Sequence, residues 1–113
     1  MRNINAASLA QRPDLQRIAP WIKPESSVLD LGRADGKLLA HLRDSLQVDG
    51  IGVERHPQAM IGCVRRGVPV IQQDLEQGLA LFTDQSFDTV VLSKTLQSMV
   101  NTEHILREMA RVA

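Results

Sequence analysis

Apolar residues along this chain alternate between continuous runs and the spacing of a helix face. The continuous runs, typical of strands buried on both faces, occupy residues 27–31, 51–54, 68–72 and 87–93. Helical spacing occupies residues 14–22, 37–46, 57–66 and a last segment after Thr102. The pattern therefore predicts strands that alternate with helices.

Proline, glycine and polar residues predict where several of these elements begin and end. Pro24 closes the first helix, and Pro57 suits the first turn of the helix at 57–66 because a helix start cannot pair that N–H. Gly67 ends that helix, and Thr102 is predicted to cap the last one. Residues 74–81 are predicted as a loop or a short helix. The buried face of the last helix is predicted to carry Ile105, Leu106, Met109 and Val112.

Strands separated by helices predict parallel pairing through right-handed crossovers. The expected fold is therefore α/β, a Rossmann-like doubly wound parallel sheet, in one domain over residues 1–113 with a flexible segment at 1–12. If the first strand is central and the fourth lies beside it, the outer edge of the fourth strand is exposed. Proteins usually cover such an edge. We expect either that the chain is a fragment of a longer protein or that the edge is buried by self-association.

Composition excludes several classes of function. The chain has 113 residues, of which 43% are hydrophobic, and no apolar run approaches the roughly 20 residues of a membrane span. Thirteen basic and thirteen acidic side chains balance, and aromatic residues make up 3%, so nucleic acid is not an expected partner. Cys63 is the single cysteine and the N-terminus lacks an apolar signal region, which predicts a cytoplasmic protein.

Candidate site residues follow the predicted strands. Open α/β sheets bind ligands outside the carboxyl ends of their strands. The polar and glycine residues at these positions are Asp30, Gly32, Gly36, Glu54, Asp74 and Ser93. Glu54 could accept hydrogen bonds from both hydroxyls of a ribose, and Asp74 could accept one from the amino group of an adenine. Each residue also has a plain structural explanation as a cap or turn residue, but together they predict a pocket for an adenosine-containing cofactor.

Other reactive side chains favour structural roles. His41, His56 and His104 share no metal-ligand spacing with one another or with Cys63, so no metal site is expected. Cys63 is predicted to be a small core residue. The pair at 65–66, Arg65 and Arg66, is predicted to be a solvated helix end.

The motifs resemble the class I S-adenosylmethionine-dependent methyltransferases and, among these, the MetW family of methionine biosynthesis. The resemblance runs from about Pro13 to the last residue. The residues that carry it are Asp14-Leu15, Trp21-Ile22-Lys23-Pro24, Val28-Leu29-Asp30-Leu31-Gly32, Asp35-Gly36, Gly52-Val53-Glu54, Arg66-Gly67-Val68, Val70-Ile71-Gln72-Gln73-Asp74-Leu75, Gly78-Leu79, Ser86-Phe87-Asp88, Val90-Val91-Leu92-Ser93, Thr95-Leu96-Gln97 and Glu108-Met109.

The resemblance implies a cofactor, S-adenosylmethionine, and a place for each site residue. It puts Asp30, Gly32 and Gly36 around the methionine end of the cofactor, Glu54 on the ribose and Asp74 near the adenine. It also implies a role in methionine synthesis together with a homoserine O-acyltransferase. It identifies no methyl acceptor.

The glycine-rich turn departs from the family pattern. Family members generally read Leu-Gly-Cys-Gly-Asp-Gly, whereas this chain has Arg33 and Ala34 in the two central positions. If the position of Ala34 needs a positive φ, its β-carbon costs about 1–2 kcal/mol, which could weaken cofactor binding about tenfold. Arg33 could pair with Glu54 or Asp74 in place of the cofactor, point to solvent, or grip the cofactor's carboxylate.

Two functions from different classes follow. One is a cofactor-binding accessory protein that regulates an acyltransferase by contact. The other is an S-adenosylmethionine-dependent methyltransferase acting on an unknown small molecule. A complete enzyme of this class adds three further strands, and its acceptor pocket lies largely in that second half, so the sequence favours the accessory role.

Overall fold

The strand and helix bounds come from a computed structural model, which describes residues 19–31, 35–75, 79–92 and 100–113. The strands are β1 (Ser27–Leu31), β2 (Asp49–Glu54), β3 (Val70–Gln72) and β4 (Thr89–Leu92). The helices are α1 (Lys37–Leu46), α2 (Pro57–Arg65) and α3 (Thr102–Val112), preceded by a short 3-10 helix at Ala19–Trp21. Among these residues, no helix is long and apolar enough to cross a membrane.

The four described strands form one parallel sheet in the order β3-β2-β1-β4. In the register of β1, Asp30 lies between Gly52 of β2 and Val91 of β4. The predicted doubly wound sheet is confirmed, with β1 inside it and β4 beside β1. Within the described ranges, no strand pairs with the outer edge of β4. Both expectations for that edge stay predictions: that the chain is a fragment of a longer protein, or that another copy of the chain covers the edge.

Two hydrophobic clusters cover the two faces of the sheet. On one face, Val28 packs with the apolar residues of α1 and with Cys63 of α2. On the other face, Leu29 and Leu31 pack with Ile105 and Val112 of α3. Successive strand residues point to opposite faces, which is why neighbouring residues of β1 belong to different clusters.

Two strands are shorter than their apolar runs, because backbone groups at their ends bond elsewhere. Val68 N–H donates to the carbonyl of Cys63 at the end of α2, so β3 begins only at Val70. Phe87 N–H donates to the carbonyl of Val112 in α3, so β4 begins at Thr89. The strand predicted at 51–54 begins earlier, at Asp49, whose N–H donates to Ser26.

The predicted helix boundaries are confirmed for α1, and α2 ends one residue earlier than expected. The prediction for the start of α3 was wrong. Asn101, not Thr102, is the cap, because its side-chain oxygen accepts a hydrogen bond from the N–H of His104. Leu106 was also misplaced: it is 47% exposed, whereas Ile105 is fully buried. Of the helix predicted at 14–22, only the end is described, and its first three described residues form the 3-10 helix.

Candidate functional site

Two buried carboxylates lie near the carboxyl ends of the central strands. Asp30 and Glu54 are 3% and 4% exposed. Asp30 pairs in register with Gly52, so Glu54, two residues further along β2, points to the same face. Val28 shares that face and packs against α1 and α2. Asp30 and Glu54 therefore both lie toward the carboxyl ends of their strands, on the face of the sheet that α1 and α2 cover.

The backbone at the start of α2 orients the Glu54 carboxylate. Its Oε1 accepts hydrogen bonds from the N–H groups of Arg55 and His56, each at 2.9 Å. His56 immediately precedes Pro57, the first residue of α2. The carboxylate is thus held by rigid backbone where β2 turns into the helix.

Asp74 follows β3 and lies beside the end of β2. Gln73 N–H donates to the carbonyl of Glu54 at 3.0 Å, which places the next residue, Asp74, near the candidate site. Its Oδ2 is 3.4 Å from Nη1 of Arg55, and its side chain is 30% exposed. Such a partly exposed ion pair contributes little to stability, so the contact leaves room for a binding role.

Gly36 precedes α1 in a conformation that glycine favours, with φ of 90°. A β-carbon there would stand 2.9 Å from Cα of Cys63 in α2. The glycine was expected for close approach to a ligand, and the structure adds another reason: the backbone at the start of α1 packs directly on α2. Asp35 completes this turn, because its Oδ1 accepts a hydrogen bond from the N–H of Lys37 at 3.0 Å.

Cys63 lies beneath these acidic residues and is fully buried, as predicted for a core cysteine. Burial, and then the charges of Asp30, Asp35 and Glu54, raises the pKa of its thiol to about 11, while Arg66 acts in the opposite direction. The thiolate is the reactive form of cysteine, so this residue is unsuited to act as a nucleophile at neutral pH.

Arg66 was wrongly predicted as part of a solvated helix end. Its guanidinium is half-buried and donates to the carbonyl of Asp35 at 3.1 Å. Arg65, its neighbour, is exposed as expected. A basic residue at the carboxyl end of a helix is explained by its favourable interaction with the helix dipole. The residues around Arg66 give no indication that its side chain contacts Asp35, which lies 31 positions earlier in the sequence.

Four residues of interest lie outside the described residues: Gly32, Arg33, Ala34 and Ser93. The expectations for them therefore stay predictions. The structure describes four of the six predicted site residues: Asp30, Gly36, Glu54 and Asp74. They lie near or after the carboxyl ends of β1, β2 and β3.

Comparison with known proteins gives both a family and a fold. The model of the family described as methionine biosynthesis protein MetW matches residues 12–113. The bifunctional methionine biosynthesis protein MetXA/MetW of Rhodopirellula baltica is 40% identical over 107 residues, covering 88% of this chain and 17% of that protein.

Solved structures of methyltransferases share the fold. A SAM-dependent methyltransferase from Archaeoglobus fulgidus matches with a TM-score of 0.78 and 20% identity, over 93% of this chain and 48% of that one. A TehB-like SAM-dependent methyltransferase from Corynebacterium glutamicum matches with a TM-score of 0.72 and 18% identity, over 94% and 61%. This chain has the Rossmann-like fold of class I methyltransferases and spans about half the length of such structures.

Proposed function

Since the chain belongs to the MetW family of methionine biosynthesis proteins, we propose that it binds S-adenosylmethionine at the carboxyl ends of β1 and β2. We further propose that it acts as an accessory protein to a homoserine O-acyltransferase. Glu54, buried at the end of β2 and oriented by two backbone N–H groups, is the observation that carries the binding proposal.

The chemistry of the described residues fits this cofactor. A ribose presents two hydroxyl donors, and a carboxylate that follows the second strand of such a sheet accepts from them. Glu54 is that carboxylate. Asp74, beside it, supplies an acceptor for the amino group of the adenine, and Asp30 supplies a negative charge toward the ammonium of the methionine end. In this proposal Gly32, Gly36 and Ser93 complete the cofactor site.

Thermal unfolding of the chain with S-adenosylmethionine and S-adenosylhomocysteine tests the binding proposal. A ligand present at about 100 times its dissociation constant adds about 2.7 kcal/mol, which raises Tm by several degrees for a domain of this size. Glu54→Gln should reduce this rise, because glutamine retains one carbonyl oxygen but replaces the other acceptor by an amide donor. An unchanged Tm at millimolar concentrations of both ligands would contradict the proposal.

The proposal of an accessory role rests on the family and on the two parts named in the Rhodopirellula relative. That protein is named bifunctional and combines MetXA with MetW, and this chain corresponds to 17% of it. A MetW part carried in the same polypeptide as a second methionine biosynthesis activity is suited to act by contact. We place this action in the cytoplasm, together with the acyltransferase.

A rate assay distinguishes the accessory role from its alternative. The chain is added to a homoserine O-acyltransferase with and without S-adenosylmethionine, and acylation and S-adenosylhomocysteine are both measured. A changed acylation rate without release of S-adenosylhomocysteine is the expected result. Release of S-adenosylhomocysteine in the presence of a small-molecule acceptor would instead identify a methyltransferase, the activity of the proteins that share its fold.

A further inference from the structure

We propose that Arg66 is a positioning residue that sets where Asp35 and Gly36, the described end of the turn before α1, stand relative to the carboxylates of the cofactor site. This inference rests on the proposed function, because the turn matters only if a cofactor is bound there. Arg66 itself follows α2, and its guanidinium donates to the carbonyl of Asp35, a residue that the proposal does not assign to the cofactor.

The first evidence is a long-range hydrogen bond. Nη1 of Arg66 donates to the carbonyl of Asp35 at 3.1 Å and to the carbonyl of Gly62 at 3.2 Å. Asp35 is the residue whose carboxylate accepts from Lys37 at the start of α1. One guanidinium nitrogen thus joins α2 to the end of the turn between β1 and α1.

Close backbone packing at the same place provides independent evidence. A β-carbon on Gly62 would stand 2.6 Å from the carbonyl oxygen of Asp35, and one on Gly36 would stand 2.9 Å from Cα of Cys63. Both distances are shorter than real β-carbon contacts, so Asp35 and Gly36 lie nearer to α2 than a side chain at position 36 or 62 would allow. Steric contact keeps Asp35 and Gly36 from moving closer to α2, and the hydrogen bond from Arg66 keeps them from moving away from it.

The charge of Arg66 also acts at this place. Burial, and then Asp30, Asp35 and Glu54, raise the pKa of Cys63, whereas the guanidinium of Arg66 acts in the opposite direction. The charge of Arg66 therefore acts on the same thiol as the charges of the three acidic residues. A cation here offsets part of the repulsion among carboxylates that must remain close to bind one ligand.

The structure offers a matched control in Arg43 of α1. Its Nη1 donates to the carbonyls of Arg66 and Gly67 at 2.6 and 3.3 Å. Arg43 of α1 thus bonds to the backbone that follows α2, whereas Arg66 bonds to the backbone that precedes α1. Arg43 lies about two helical turns beyond Gly36. Its removal frees the carbonyl of Arg66 but leaves the guanidinium of Arg66 able to donate to Asp35, so R43Q should have the smaller effect on binding.

The test measures the affinity for S-adenosylhomocysteine, by calorimetry, of the unaltered chain and of R66Q, R66K and R43Q. We expect R66Q to bind about tenfold more weakly, because without this hydrogen bond only about a tenth of the molecules would hold Asp35 in the binding position. Lysine can donate to the same carbonyl, so R66K should recover most of the affinity. R43Q should lower Tm but change affinity less than about twofold.

Gly62→Ala tests the same contact from the side of α2. The new β-carbon would stand 2.6 Å from the carbonyl oxygen of Asp35 and 3.0 Å from Nη1 of Arg66. We expect it to displace both groups and to weaken S-adenosylhomocysteine binding. Gly50→Ala is the control, because its β-carbon meets the Leu39 side chain at 2.7 Å rather than the turn.

The outcomes separate this inference from the proposed function. If the unaltered chain binds and R66Q binds equally well, or if R43Q loses as much affinity as R66Q, the positioning role is wrong and the proposed function stands. If the unaltered chain does not bind, both are wrong. Without ligand, hydrogen exchange of the amides at 35–40 should be faster in R66Q than in R43Q, and equal exchange would also overturn the positioning role.

Discussion

Ser27 and Asp88 form reciprocal hydrogen bonds at the start of the β1–β4 pair. The backbone N–H and the hydroxyl of Ser27 both donate to Oδ2 of Asp88, at 2.8 and 3.1 Å. In return, the N–H of Asp88 contacts Oγ of Ser27 at 2.9 Å. The two residues are 61 positions apart in sequence and immediately precede the register pair of Val28 with Thr89. They therefore fix the alignment of two strands that no local turn connects.

The Asp88 contact predicts a pH-dependent contribution to stability. Hydrogen bonds from the backbone and then the side chain of Ser27 hold the pKa of Asp88 below its ordinary value. A carboxyl whose pKa is lower in the folded state stabilises the fold above the unfolded value of about 3.9, and this contribution is lost as pH falls through the folded value.

Asp88→Asn should therefore lower Tm near pH 7 and have a diminishing effect as pH falls below about 4. Thermal unfolding of both proteins between pH 7 and pH 3 measures the difference. Asp49→Asn, at the exposed start of β2, controls for the loss of one negative charge. A Tm difference that stays constant over this range would show that the charge of Asp88 is not the stabilising factor.

Two neighbouring residues of α3 should differ sharply when replaced by alanine. Ile105 is fully buried in the cluster beneath α3, and Leu106 is 47% exposed. Ile105→Ala should reduce the free energy of unfolding by about 2–5 kcal/mol, whereas Leu106→Ala should change it by less than about 0.5 kcal/mol. Denaturant unfolding of both variants checks the orientation of the helix, and similar losses would contradict it.

The cap of α3 gives a second paired comparison. The Asn101 side chain accepts from the N–H of His104 at 3.2 Å, which satisfies one of the open donors at the helix start. Asn101→Ala should lower the free energy of unfolding by about 1 kcal/mol, whereas Thr102→Ala should cost less. If equilibrium unfolding showed Thr102→Ala to be the more damaging change, the original prediction of Thr102 as the cap would be restored.

Replacement of Glu54 tests the ribose contact. Glu54→Gln preserves an oxygen for the N–H groups of Arg55 and His56 but removes the charge. We expect S-adenosylhomocysteine to bind about 10- to 100-fold more weakly, because hydrogen bonds to charged groups contribute about 1.5–3 kcal/mol. Asp49→Asn, at the opposite end of β2, should leave the affinity unchanged. Calorimetry that shows equal effects for the two variants would argue against the assigned site.

The double replacement of Arg33→Cys and Ala34→Gly restores the pattern general in the family. If Ala34 has a positive φ or Arg33 competes with the cofactor, the double replacement should increase affinity for S-adenosylmethionine by about tenfold. The single variants separate the two causes: Ala34→Gly tests strain, and Arg33→Cys tests competition with the cofactor for Glu54 or Asp74. No gain in calorimetric affinity from any of the three would show that the turn tolerates these residues.

The placement of the two buried carboxylates was predictable from the sequence, whereas their role in binding stays a prediction. Asp30 and Glu54 end buried apolar runs, and in a parallel sheet such ends meet at one edge, which the described structure confirms. Gly36 was predictable as a turn residue, but not its packing on Cys63. Arg66 was not predictable as a contact of the turn, because a basic residue at a helix end satisfies the dipole whether or not it reaches a neighbouring segment.

The sequence by itself determined the order and type of the elements and the edge of the sheet where the acidic residues lie. Burial imposes a periodicity on each segment, and that periodicity is readable from neighbouring positions alone. Only the tertiary structure decided that β4 begins late, that Ser27 meets Asp88 and that Arg66 holds Asp35. Each of these depends on which backbone donor or acceptor another segment satisfies. That competition is settled only when the helices and strands pack together.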